Sequence, residues 1–254
     1  SRVPSNVDLF LNAMGGTVGA MAAWALERLG ALDRWTLFRA RWFVPESRGA
    51  LVLLALWPVG LLFPAAVPLG LGQVMERVEE GLADWLADTP LLDWLPVRDV
   101  ELQPLIPSAE LLCVALGVLV PCLLAYSIVR SLPRRLAMLV LVLGVGLGFT
   151  ALSAALSYGP VHAWSWLSLP VQLGLVLAVL LALPSLWLTR RGCAALCLLA
   201  LGIHLSILNQ SPTSAYFAQT LQTWEQGRFI RFNGLAQWVG WLWPYAALVY
   251  LVSW

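Results

Sequence analysis

An all-α, polytopic membrane bundle of about seven spanning helices, with short amphipathic helices at its interfaces, is the fold that three observations predict. The first is composition. Of 254 residues, 60% are apolar and only 11% are Asp, Glu, Lys or Arg, with a mean hydropathy of +0.79, whereas a soluble domain carries roughly a quarter charged residues. So few charges cannot build a water-facing surface for a chain that must also place 14 Trp and 8 Phe. The second is the succession of apolar runs near 20 residues, about the length a helix needs to cross the hydrocarbon core. The third is where the arginines fall between those runs.

Taken in order, the runs are 7–29, 49–74, 108–129, 136–157, 169–188, 192–209 and 235–253. The first is the least apolar, holding Asp8 and Asn12. The second is overlong and interrupted by Pro58, Pro64 and Pro68, so it is expected to kink or to end early in an irregular stretch, since proline removes a backbone donor. Between the first two runs, Leu32 to Phe43 interleaves Arg34, Arg39 and Arg41 with Trp35, Phe38 and Trp42, the mixture of a helix lying at a headgroup surface. Val74, Val78 and Leu82 recur at helical spacing among Glu76, Glu79, Glu80 and Asp84, which predicts an acidic amphipathic helix. Between Glu76 and Glu101 there are eight acids and two arginines, an acidic solvated face. Ser214 to Gln226, followed by Arg228 and Arg231, reads as a further short helix before the Trp-rich last run. Trp164, Trp166, Trp238, Trp241 and Trp243 fit an interfacial aromatic belt.

Arg28 closes the first run and Arg34, Arg39, Arg41 and Arg48 follow it; Arg130, Arg134 and Arg135 follow the third, and Arg190 and Arg191 the fifth. Basic loops face the cytoplasm. The remaining five, Arg2, Arg77, Arg98, Arg228 and Arg231, then face outward, and the split alternates through all seven runs with the N-terminus outside and the C-terminus cytoplasmic. The opening Ser1-Arg2-Val3-Pro4, with no Met and no signal-like segment, predicts that sequence lies upstream.

The formal net charge of +1 and the absence of a basic block weigh against a nucleic-acid partner. All 15 basic residues are Arg, so no lysine is present to serve as a base or Schiff-base former. Cys113, Cys122, Cys193 and Cys197 sit inside apolar runs and read as small packing residues. No metal, phosphate-loop or nucleophile motif occurs in a credible context, so no cofactor is expected and an enzymatic role is disfavoured.

Polar side chains at membrane depth are costly and are site candidates by default. Asp8 and Asn12 share a helix face at i, i+4 spacing, and Gly15, Gly16 and Gly19 continue the helix, with Gly15 and Gly19 spaced to admit a partner helix. His204 lies deep in the sixth run with Ser206, Asn209 and Gln210 beyond it. A lone neutral histidine bonded to another helix accounts for it; a proton relay would need a carboxylate partner. Glu110 lies one turn into the third run, where Ser108 can cap the helix and the acid favours its dipole.

The opening, Arg2-Val-Pro-Ser-Asn-Val-Asp8-Leu-Phe-Leu-Asn12-Ala-Met-Gly15 with Gly19 following, resembles the second motif of the VanZ-like membrane protein family. The tail from Trp224 through Arg228, Arg231 and Trp243 to Tyr245 resembles the C-terminal region of longer bacterial members. The resemblance covers about 25 residues at the start and about 30 at the end. It implies that residues 1–31 end a VanZ-like domain, whose first half is expected before Ser1, and that 32–254 form a multi-span C-terminal region. It also implies residence in the bacterial inner membrane, a cell-envelope role linked to resistance to teicoplanin-type glycopeptides, and a ligand site at Arg2, Asp8 and Asn12. Membrane lipids and a lipid or lipoglycopeptide ligand are the partners it implies. Glu110, His204, Arg228 and Arg231 are secondary polar candidates. A lipid or small-molecule transporter is the competing expectation, on the seven runs, the proline-broken second run and His204.

Overall fold

The computed structural model describes residues 6–87, 89, 102–212 and 234–253. Among these, every regular element is helical: α1 (Asn6–Arg28), α2 (Ala31–Trp42), α3 (Arg48–Leu61), α4 (Met75–Leu86), α5 (Pro107–Ile128), α6 (Leu132–Tyr158), α7 (Leu169–Ser185), α8 (Arg190–Leu208) and α9 (Leu235–Ser253), with one 3-10 turn at Pro160–His162. The chain divides into two compact units, Ser1–Pro45 and Glu46–Trp254.

In the first unit, α1 and α2 are joined by a tight turn at Gly30, whose φ of +62° is a left-handed conformation that glycine adopts without a Cβ penalty. Arg28 packs its guanidinium over the Trp24 ring at 4.7 Å. On α2 the predicted arginine and aromatic mixture forms a continuous ring contact from Trp35 through Phe38 to Trp42. Among the described residues nothing lies within 4 Å of a Cβ built on Gly15, Gly16 or Gly19, so the small-residue face of α1 is open in this chain.

The second unit is organised around α5. Every residue from Cys113 to Ile128 is buried, because α6, α7, α8 and α3 all pack against this helix while α9 pairs with α3. Pro107 occupies the first turn, where its missing N–H costs nothing, and the flanking Ile106 is extended. The cap is therefore Ile106, and Ser108, expected as the cap, lies inside the helix. Side-chain caps do start α7, where Ser168 accepts from Val171 N, and α8, where Thr189 accepts from Gly192 N.

Four helices, α5, α6, α8 and α9, are long and apolar enough to cross a membrane, while α3 and α7 are apolar but shorter. In α6, α8 and α9 only about a third of the most apolar stretch is buried, and large side chains such as Val140, Val176, Leu199 and Val249 stand exposed on the outside of the bundle. At about 25 cal/mol per Å² of apolar surface, that exterior is unfavourable in water and neutral against lipid tails.

The second predicted run is shorter than expected. Helix α3 stops at Leu61, and 62–74 continues as a non-helical but largely buried segment. Pro64 and Pro68 forbid helix continuation, and Leu69 and Gly72 adopt φ of +63° and +97°. The four cysteines are free and buried, as packing residues should be. The interfacial assignment of the tryptophans needs correction at two positions. Trp166 and Trp243 are core residues, 2% and 4% exposed, and their indole N–H groups donate to Ala163 O and Leu53 O. Burial of a Trp requires such an acceptor. Trp164 and Trp238 remain exposed.

Candidate functional site

The inserted segment 62–74 is the most elaborated local structure in the second unit. Non-helical backbone at membrane depth is tolerated only where protein supplies its hydrogen bonds, and here neighbouring helices do so. Gly72 N donates to Gly240 O at 2.8 Å, and Tyr245 Oη donates to Gly72 O at 3.1 Å. Asn209, at the end of α8, accepts from Val74 N and Met75 N through Oδ1 at 3.1 and 3.0 Å, so one side chain caps the start of α4. Its Nδ2 donates to Leu205 O and Gly72 O. Gln73 is buried, and its Nε2 donates to Ser211 O, Ser211 Oγ and Pro212 O at 2.7 to 3.0 Å.

Close packing of the segment depends on missing side chains. A Cβ on Gly117 of α5 would stand 2.5 Å from the Leu69 carbonyl oxygen, and one on Gly146 of α6 would meet the Trp57 ring at 2.8 Å. Gly60 and Gly240 let α3 and α9 touch backbone to backbone, a Cβ on Gly60 lying 3.2 Å from Gly240 Cα. Leu69, strained in the left-handed region, thus reaches the centre of the bundle.

Two cavities flank this segment. One, of about 440 Å³, lies between it and α6 and is largely apolar, with Tyr158 and Trp166 at one end and Thr150 and Ser153 in the wall. Ser153 Oγ donates to Leu62 O at 2.9 Å. Thr150 Oγ1 is buried with no hydrogen-bond partner. The other, of about 420 Å³, lies towards α9 and the start of α4 and is bounded by Gln73, Arg77 and Trp241. Arg77 sits over the Trp241 ring at 4.6 Å, a cation–π contact, and Trp241 is braced edge-on by Phe63 and Trp238. Phe63, Pro64, Ala65 and Leu71 line both cavities, so the inserted segment forms a wall of each.

Of the residues singled out from sequence, Glu110 and His204 line neither cavity. Arg2, Arg228 and Arg231 fall outside the described residues, as does the expected helix from Ser214; Asp8 and Asn12 lie on α1, with their side chains outside the description. Glu110 is in the first turn of α5, half-buried, and accepts from Ser168 Oγ at 3.4 Å, which ties the starts of α5 and α7. His204 is buried, with Nδ1 3.2 Å from Cys113 O. This contact links α8 to α5. Asn209, noted beside His204, is the residue that sequence placed nearest the inserted segment. Gln73, Thr150 and Arg77 were missed as a group. Their signals are a lone amide after Gly70 and Gly72, the first of several hydroxyls in the C-terminal part of α6, and a cation alone among acids.

Comparison with family models, with curated proteins and with solved structures gives no match. The function is therefore argued from the chemistry of the cavities.

Proposed function

We propose that this chain is a VanZ-like protein of the bacterial inner membrane with a cell-envelope role, and that it acts by binding a lipid or lipoglycopeptide at a polar pocket on the outer face. In this reading α1, α3 and α7 join the four longer helices as crossings, making seven, with the N-terminal end outside and the C-terminal end cytoplasmic. By the family resemblance, Arg2, Asp8 and Asn12 are the ligand-binding residues of the first unit.

The observation that carries the reading is the pair of cavities flanking 62–74: both are mainly apolar, suited to a hydrocarbon chain, and the one towards α9 also has Arg77 and Gln73 in its lining. Amphiphiles have that mixture of chemistry, and a catalytic reading lacks support because no nucleophile with an adjacent base lines either cavity. A link to teicoplanin-type resistance follows from the resemblance.

The test is antibiotic sensitivity in a strain deleted for the gene and complemented with wild type, D8A, N12A or A65W. Ala65 lines both cavities, so a tryptophan there intrudes on both. Teicoplanin sensitivity is expected to fall to the wild-type level only with the wild-type gene, at equal membrane abundance of all variants. Equal sensitivity of every strain would rule the reading out.

A second reading, a lipid or small-molecule transporter, is favoured by one feature: a broken, buried segment between crossing helices, a device transporters use at their sites. Substrate flux in proteoliposomes that A65W abolishes would select it over simple binding.

A further inference from the structure

The end of the second unit opposite α4 carries an uncompensated charge. Between Leu111 and Trp224 the chain has five arginines and no Asp or Glu. All five fall at or just after two short connections: Arg130, Arg134 and Arg135 where α5 passes into α6, and Arg190 and Arg191 where α7 passes into α8. Arg135 ties these connections together, because its Nη1 donates to both Leu186 O and Leu188 O. The described acids of this unit stand elsewhere. Glu110 is at the far end of α5, and α4 with its acids starts at Asn209, beyond the far end of α8. Glu46 precedes α3, with its carbonyl accepting from Tyr250 of α9.

Arg135 sets this end apart from a scatter of surface arginines. It is 7% exposed, and a guanidinium so enclosed calls for a counter-charge, since a buried unpaired ion is costly. The two carbonyls satisfy Nη1 but bring no net charge. Nε and Nη2 have no acceptor among the described residues, and neither is sealed away from solvent. The protein thus holds one edge of the guanidinium and leaves the other open, between connections that bear the other four arginines. Such a fork matches phosphate oxygens, and the start of α8, capped by Thr189, adds the positive end of a helix dipole.

The neighbouring side chains specify what the phosphate is attached to. Trp187 lies between the two residues whose carbonyls Arg135 holds and is 71% exposed, and Leu132, Leu136 and Leu183 are exposed as well. An indole and leucines beside guanidinium groups suit a headgroup that continues into acyl chains. A soluble phosphate leaves them in water.

We propose that the two connections form a binding site for an anionic phospholipid, with its phosphate at Arg135, Arg190 and Arg191 beside it, and its acyl chains along the exposed ends of α6 and α7. This site is separate from the cavities beside 62–74 and does not depend on what they bind.

Native mass spectrometry of the full chain, delipidated in detergent and titrated with phospholipids of matched chains, tests this. Phosphatidylglycerol is expected to bind about tenfold more tightly than phosphatidylethanolamine. R190Q/R191Q should remove most of that preference, whereas R34Q/R39Q, which takes the same charge from α2, should leave it intact. R135K keeps the charge but loses the fork, and should weaken phosphatidylglycerol several-fold while phosphatidylethanolamine binding stays as it was. Should R135K fail to fold, R190Q/R191Q decides, because both of its side chains are exposed. Inorganic phosphate at millimolar concentration should leave the bound lipid in place. Equal binding of the two phospholipids, a preference that survives R190Q/R191Q, or unchanged phosphatidylglycerol binding in folded R135K overturns the proposal. So does an equal fall in R34Q/R39Q, which would mean diffuse attraction, or displacement by inorganic phosphate, which would mean a soluble ligand.

Discussion

A single atom decides several contacts in this molecule. Gly117 is the clearest, because the group its Cβ would meet, the Leu69 carbonyl, is backbone and is itself held by a strained turn. Overpacking of this kind costs about 1–3 kcal/mol. Gly117→Ala is expected to lower the thermal midpoint of the detergent-solubilised chain by several degrees, whereas Gly202→Ala on α8, where nothing lies within 4 Å, should leave it unchanged or raise it slightly through helix propensity. Equal midpoints for the two variants would mean that Leu69 does not seat on α5. Arg135 shows the same dependence on one group. It follows the third apolar run, where a basic loop residue is expected to face water, yet it is buried, and Nη1 donates to Leu186 O and Leu188 O at 2.7 Å each. It satisfies carbonyls that the end of α7 leaves without intrahelical donors, and charge counting alone gives no hint of that task.

Helix α4 carries its functional consequence at the scale of the element. Met75, Val78, Leu82 and Trp85 are all exposed and fall on one face of the helix, opposite much of its acid. Nothing among the described residues covers that stripe, and its N-terminus is fixed by Asn209. An amphipathic helix so held lies with its apolar face in the headgroup and acyl boundary. Spin labels on L82C and E80C in liposomes should therefore differ, the first favouring collisions with oxygen and the second with a water-soluble nickel reagent; the native cysteines are buried and leave the background low. Equal accessibility at the two positions would place α4 away from the interface. The existence of α4 was legible because its polar and apolar residues alternate with helical period. Its neighbour 62–74 was legible only as an interruption, since prolines announce where a helix cannot continue but carry no information about where the chain goes instead.

For the whole molecule, the proposed alternation of seven crossings makes a test that does not depend on the cavities. A T89C variant is expected to react with a membrane-impermeant maleimide in intact spheroplasts, and R190C only after permeabilisation; labelling of both before permeabilisation would break the alternation. Composition, run length and arginine placement determined the all-helical class, the apolar exterior, the packing role of the cysteines and most helix positions to within a few residues, but not the second, where α3 stops at Leu61. These properties depend on local period and on transfer from water to lipid, which each stretch of sequence carries by itself. Sequence did not reveal that the Cys113–Ile128 stretch of α5 is buried throughout, that Trp166 and Trp243 are core, or that Gln73 and Arg77 border one cavity beside 62–74 and Thr150 the other. Their separation along the chain is bridged by α6 and α9 packing on the inserted segment, with Gly146, Gly60 and Gly240 permitting the approach. Sequence could say that a polar residue at membrane depth needs a partner. Which partner it finds, and which hydroxyl is left without one, was settled by the packing of helices distant in sequence, because hydrogen-bond satisfaction depends on neighbours in space.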